Sequence, residues 1–200
     1  MEAGEIYANL SNGAYTGDTV NEIWNGEPLS TIDPTKEYAN NPDFEVSGLN
    51  INTWKLVDAG KIDGWDTTYP DNRIEVWKSG FMGVEAVEGD YFVELNGNGP
   101  STLYQEIETT PGTVFTWSVS HRGRAGEDVA TIGVNSGSET IVLETMKDGN
   151  DEWGTYTGTY VVPEGQTATR FSLNAIASAG GSKSVGNFID NFSLKAESKE

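Results

Sequence analysis

The run Gly64–Gly80, GWDTTYPDNRIEVWKSG, followed by Tyr91–Ile107, YFVELNGNGPSTLYQEI, and Phe115–Gly126, FTWSVSHRGRAG, decides the fold. Each piece alternates apolar and polar residues with the period of two that sets successive strand side chains on opposite faces. Between them stand Gly, Asn and Pro clusters that turn the chain. Three such runs in sixty residues predict an all-β chain of short antiparallel strands.

Working outward, the same pattern continues on both sides. Strands are expected at 44–46, 51–57, 73–78, 91–96, 102–108 and 113–122, then at 129–135, 139–146, 155–163, 169–177 and 187–196. Short alternating runs at this spacing predict an antiparallel two-sheet jelly-roll β-sandwich. Residues 1–40 differ. Asn12-Gly13, Gly17-Asp18, Asn25-Gly26 and Asp33-Pro34 punctuate them, while Ile6, Tyr7, Leu10, Ile23 and Trp24 offer apolar anchors. They read as an irregular N-terminal extension packed on a sandwich spanning 41–196, and 197–200 reads as the start of a linker toward another domain.

Composition narrows the partners. Twelve basic residues against 31 acidic ones give a net charge of −19. Nucleic acid and anionic membrane surfaces both need positive charge to offset phosphate, so neither fits. No run of 18 apolar residues predicts membrane insertion. The chain has no cysteine, so neither disulfides nor thiol chemistry enter. A neutral ligand suits this field best, and a monomer within a larger exported chain fits the composition.

Alternation also sorts faces. Phe115, Trp117 and Val119 share one side of their strand, and Ile74 with Val76 opposes Glu75 with Trp77. One sheet is therefore expected to present Glu75, Trp77, Glu94, Asn96, Tyr104 and Arg122 away from the core. Aromatic rings beside planar polar groups are the equipment for a sugar: the ring stacks on the pyranose C–H face while amides, carboxylates and guanidinium groups bond its hydroxyls. The expected ligand-binding set is Trp65, Asp66, Tyr69, Asn72, Trp77, Asn96, Tyr104, His121 and Arg122. Trp117 reads as core, and Trp65 leans the same way. His121 sits in His-Arg-Gly-Arg, where pairing with Glu75, Glu94 or Asp128 competes with a sugar-hydroxyl role.

Two chemical alternatives remain open in the residues. Glu75 and Glu94 are candidates for a glycosidase pair, but hydrolysis needs a deep cleft that a sandwich face does not supply. Asp43, Glu45 and Asp190 are hard oxygen donors suited to calcium or, equally, plain solvated acids. One histidine and no cysteine disfavour zinc.

Asn41-Pro42-Asp43-Phe44-Glu45 at one end and Phe188-Ile189-Asp190-Asn191-Phe192-Ser193-Leu194 at the other resemble the opening and closing motifs of galactose-binding-like jelly-roll carbohydrate-binding modules. The resemblance brackets about residues 41–195. It implies a non-catalytic module binding a polysaccharide or oligosaccharide, with a structural calcium held by Glu45 and Asp190. The middle section resembles modules of bacterial cell-surface proteins, some of them starch-capturing. A glucan, starch or malto-oligosaccharide first, is the implied ligand. A structural or protein-adhesive module is the alternative. The first 40 residues depart from the family pattern.

Overall fold

The computed structural model describes residues 33, 35–136, 139–179 and 181–197. Of the extension expected at 1–40, residues 1–32 and 34 lie outside them. Eleven strands run β1 (Trp54–Asp58), β2 (Asp66–Thr67), β3 (Arg73–Lys78), β4 (Tyr91–Glu94), β5 (Thr102–Glu108) and β6 (Val114–Arg122), then β7 (Asp128–Ser136), β8 (Glu139–Asp148), β9 (Gly154–Val161), β10 (Ala168–Ala177) and β11 (Phe188–Ala196). They form a six-stranded sheet, β1-β3-β4-β11-β6-β9, and a five-stranded sheet, β2-β5-β10-β7-β8, with every pairing antiparallel. Two single 3-10 turns, Ala59–Lys61 and Phe81–Gly83, are the helical elements among the described residues. The architecture is the expected jelly-roll sandwich.

Apolar positions from both inner faces fill the space between the sheets. Ring contacts run from Tyr160 and Phe115 onto Phe171, then through Phe192 to Trp65 and Phe44. Each such pair contributes about 0.5–1.5 kcal/mol beyond its buried area. Trp117 reaches over Gly158 on the neighbouring β9, where a side chain would meet the indole at 2.5 Å. A missing side chain on one strand thus makes room for the largest one on the next.

One local expectation changes. Residues 44–46 are not a strand, because Asn41 folds back on them: its Nδ2 donates to Glu45 O at 3.0 Å and its Oδ1 accepts from Glu45 N at 2.8 Å. Those bonds take the place of a ladder. Residues 35–40 are irregular and pack against the sandwich. Glu37 bridges Lys195, Tyr38 N donates to Leu194 O, and Asn40 N donates to Gln105 Oε1.

Candidate functional site

The six-stranded sheet was expected to carry the binding face. Glu75, Trp77, Phe92, Glu94 and Phe188 do share its outer side, but that side is sealed. Trp77 is 1 % exposed and packs with Val84, Phe92 and Phe188 in a second apolar cluster roofed by Phe81, Ala86 and Trp153. The segment 79–90 lies over the strands like a strap, held by Trp153 Nε1 donating to Glu85 O (2.9 Å) and by Ser79 Oγ on Glu85 Oε2 (2.8 Å). Trp77 therefore offers no stacking surface. The strand period placed it on the correct side, but nothing in that period reveals a strap covering the side.

The carboxylates under this roof are equally enclosed. Glu75 and Glu94 face one another across β3 and β4 and hydrogen-bond directly. Glu75 Oε1 accepts from Trp77 Nε1 at 2.9 Å. Glu94, 1 % exposed, takes Arg124 Nη1 on both oxygens (3.0 and 2.9 Å) and Gly186 N at 2.8 Å. Arg124 also covers the Trp77 ring at 4.7 Å. Burial first, then the charge of Glu75, pushes Glu94 up to about 8, and burial raises Glu75 as well. Arg124 is the cation that faces the pair. Carboxyls in contact leave no space for a glycosidic bond and a water between them. The hydrolase reading loses its geometry.

Other expected site residues hold the sandwich together. His121 is fully buried, bridging Asp148 Oδ2 (Nδ1, 2.7 Å) and Asn187 Oδ1 (Nε2, 2.9 Å). Asn96 is buried against Asn187 and Lys183 O. Arg122 donates to the carbonyls of Asn150 and Asp151 and so ties down the β8–β9 turn. Trp65 is buried, its Nε1 on Asn41 O at 2.9 Å. Asn72 is an exposed turn residue at φ 55°, with its backbone bonded to Tyr69 and Ala59. Tyr69 is half-buried, its hydroxyl on Asn98 O at 3.0 Å.

Asp66 and Tyr104 come together elsewhere, on the outer side of the five-stranded sheet. Leu103, Gln105, Phe171, Leu173, Ile132 and Val134 point into the core, so their neighbours in sequence face the other way. Register then lays out three rows across the strands. The middle row is Asp66–Tyr104–Ser172–Gly133–Val142. On one side runs Thr102–Asn174–Thr131–Thr145, and on the other Glu106–Arg170–Asn135–Thr140. Ser172, 1 % exposed, and Gly133 are buried within this row, with half-buried Tyr104 towards one end and Val142, 53 % exposed, at the other. Gly133 is obligatory, because a side chain there would meet Ile141 O and the Thr140 methyl at 2.8 Å across a β-bulge.

Polar groups line this trough in fixed positions. Tyr104 donates its hydroxyl to Asp66 Oδ2 at 2.9 Å. Burial and that bond both hold the phenol above its ordinary value. Thr102 Oγ1 donates to Asn174 Oδ1 (2.9 Å), and Asn174 Nδ2 reaches Thr131 Oγ1 (3.2 Å). Arg170 lies 4.1 Å over the Tyr104 ring and pairs with Glu106 at 3.1 Å. Beyond Asn174, a bulge in β10 turns Ile176 outward. There a depression of about 290 Å³ opens between Asn96, Pro100, Ile176, Ser178, Ser182 and Lys183. Arg170 and Asn174 were missed by sequence reading. Their signal was the alternation of TRFSLNAIA (169–177), which had been used only to find a strand.

The expected calcium residues gather at one corner. Asp190 is fully buried; its Oδ2 accepts from Val87 N (2.6 Å) and Glu88 N (3.2 Å). Glu45 Oε1 accepts from Asp90 N and Tyr91 N. Asp43 is raised by burial and then by Glu88, Glu45 and Glu37. Among the described residues, no three His, Cys, Asp or Glu side chains converge as a metal site. A cation here would have to complete its shell with backbone carbonyls and water, which calcium accepts.

No protein-family profile and no curated protein matches the sequence. Solved structures do match in fold. A cyclase from Fischerella sp. TAU in complex with 4-(1H-indol-3-yl)butan-2-one is 19% identical over 80% of this chain and 96% of that one, with a TM-score of 0.57. A xylan-binding domain of CBM family 22 is 16% identical over 72% and 94%, TM-score 0.52. The CBM22-1–GH10 modules of Clostridium thermocellum endo-1,4-beta-D-xylanase 10B, complexed with xylohexaose, are 16% identical over 79% and 29%, TM-score 0.51. What these chains share with the present one is the jelly-roll sandwich, a scaffold that carries both binding and catalysis. Among the described residues, no helix is long and apolar enough to cross a membrane.

Proposed function

We propose that the chain is a non-catalytic carbohydrate-binding module that seats a glycan in the trough of the five-stranded sheet. The observation that carries this reading is the middle row. One anchored, half-buried phenol stands in that row, flanked on the adjacent rows by the amides of Asn174 and Asn135 and the hydroxyl of Thr102. A pyranose stacks on such a ring and bonds such groups. Stacking moves from Trp77 to Tyr104, and the hydrogen-bonding set becomes Asp66, Asn174 and Asn135. The xylan-binding domain and the xylohexaose-complexed neighbour support the class of ligand. A neutral glucan, malto-oligosaccharide first, remains our lead, in keeping with the net charge of −19. The setting we propose is an exported, cell-surface protein of several domains. Titration calorimetry with maltoheptaose, cellohexaose and xylohexaose tests the reading. Heat that disappears in Tyr104→Ala supports it; no heat with any glycan refutes it.

Calcium has a separate, structural place in this proposal, at Glu45 and Asp190. No ion pair among the described residues compensates Asp43, Glu45 or Asp190. A bound cation would remove their mutual repulsion and fasten residues 41–45 to β11. Millimolar calcium is then expected to raise the melting temperature by several degrees over EDTA, by mass action on the folded state. Equal melting temperatures would remove calcium from the account.

A further inference from the structure

We infer that Arg170 is a movable cover on Tyr104, which a glycan must displace before it can stack; this rests on the carbohydrate reading above. The guanidinium centre stands 4.1 Å from the ring centroid. That is the distance at which the C–H face of a sugar would lie, so guanidinium and pyranose exclude one another from that side of the ring. The two partners differ in how firmly they are held. Tyr104 is anchored through its hydroxyl to Asp66 at 2.9 Å, with its backbone between β2 and β10. Arg170 is held at its tip by a monodentate pair with Glu106 at 3.1 Å, both side chains being well exposed (39% and 59%).

An exposed cation–π contact and an exposed ion pair are each weak, so the cover swings aside at small cost. Its charge is matched by Glu106, so its role is not the capture of an anionic sugar. The site is thus closed by a side chain, and its affinity is set by competition between ligand and arginine for one ring face.

Calorimetry of the full chain with the same three oligosaccharides tests this, using wild type, Arg170→Ala and Tyr104→Ala at 50 mM and 500 mM NaCl. Arg170→Ala is expected to bind about 3- to 30-fold tighter than wild type, the combined strength of the two contacts removed. Salt screens the Arg170–Glu106 pair, so wild-type affinity is expected to rise with salt while that of Arg170→Ala stays level. A melting curve for Arg170→Ala close to wild type checks that the face is intact. Wild-type binding that Arg170→Ala weakens or leaves unchanged overturns the cover and spares the carbohydrate reading. Absence of binding by every variant overturns both.

Discussion

Trp77 and Tyr104 were alike in the sequence, each an aromatic alternating with core residues, yet they have opposite roles. Truncating Trp77 is expected to cost about 3–5 kcal/mol of stability, because it leaves a cavity among Val84, Phe92 and Phe188. Truncating Tyr104 is expected to cost little stability and most of the glycan affinity. Chemical denaturation beside calorimetry separates the two; a Trp77→Ala protein of normal stability would refute the enclosed cluster. Glu94 gives a second residue-scale test. Its ordinary value is 4.5 and its folded value about 8, so between those pH values the native state keeps a proton that the unfolded chain has released. Stability must therefore fall as pH rises through that window and level off above it. The urea midpoint is expected to be higher at pH 5 than at pH 8, with a smaller difference in Glu94→Gln. A midpoint that is flat or rising across the window in wild type would contradict the raised Glu94.

At the scale of elements, alternation located β3, β5, β6 and β10 because each sets alternate residues in the inter-sheet core. It failed where local or distant groups intervened. Asn41 satisfies the backbone of 44–46 from within the loop, so an extended-looking run makes no ladder. Asp66–Thr67 is only two residues long, too short for any period, and yet it brings Asp66 beside Tyr104. Half of the trough was legible as outward residues of 102–108. The other half, on β10 and β7, needed the pairing register, which no local pattern encodes. Gly158 shows the same dependence, since its meaning lies in Trp117 on the adjacent strand. Gly158→Val is expected to lower stability by about 1–3 kcal/mol through forced repacking of that indole. An unchanged denaturation midpoint would show that the ring has room to move.

For the whole molecule, the two sheets divide the labour. The six-stranded sheet spends its outer face on the strap over Trp77, leaving Trp54, 47 % exposed on edge strand β1, as its visible indole among the described residues. The five-stranded sheet carries the Asp66–Tyr104–Ser172–Gly133–Val142 row on its outer side, and further along β10 Ile176 lines the depression with Lys183. Backbone amide shifts recorded while maltoheptaose, cellohexaose or xylohexaose is added test this division most directly. Perturbations gathered at Asp66, Thr102–Glu106, Thr131–Asn135 and Arg170–Asn174 are predicted. Perturbations centred on Trp54 and the strap 79–90, with the five-stranded sheet silent, would contradict it.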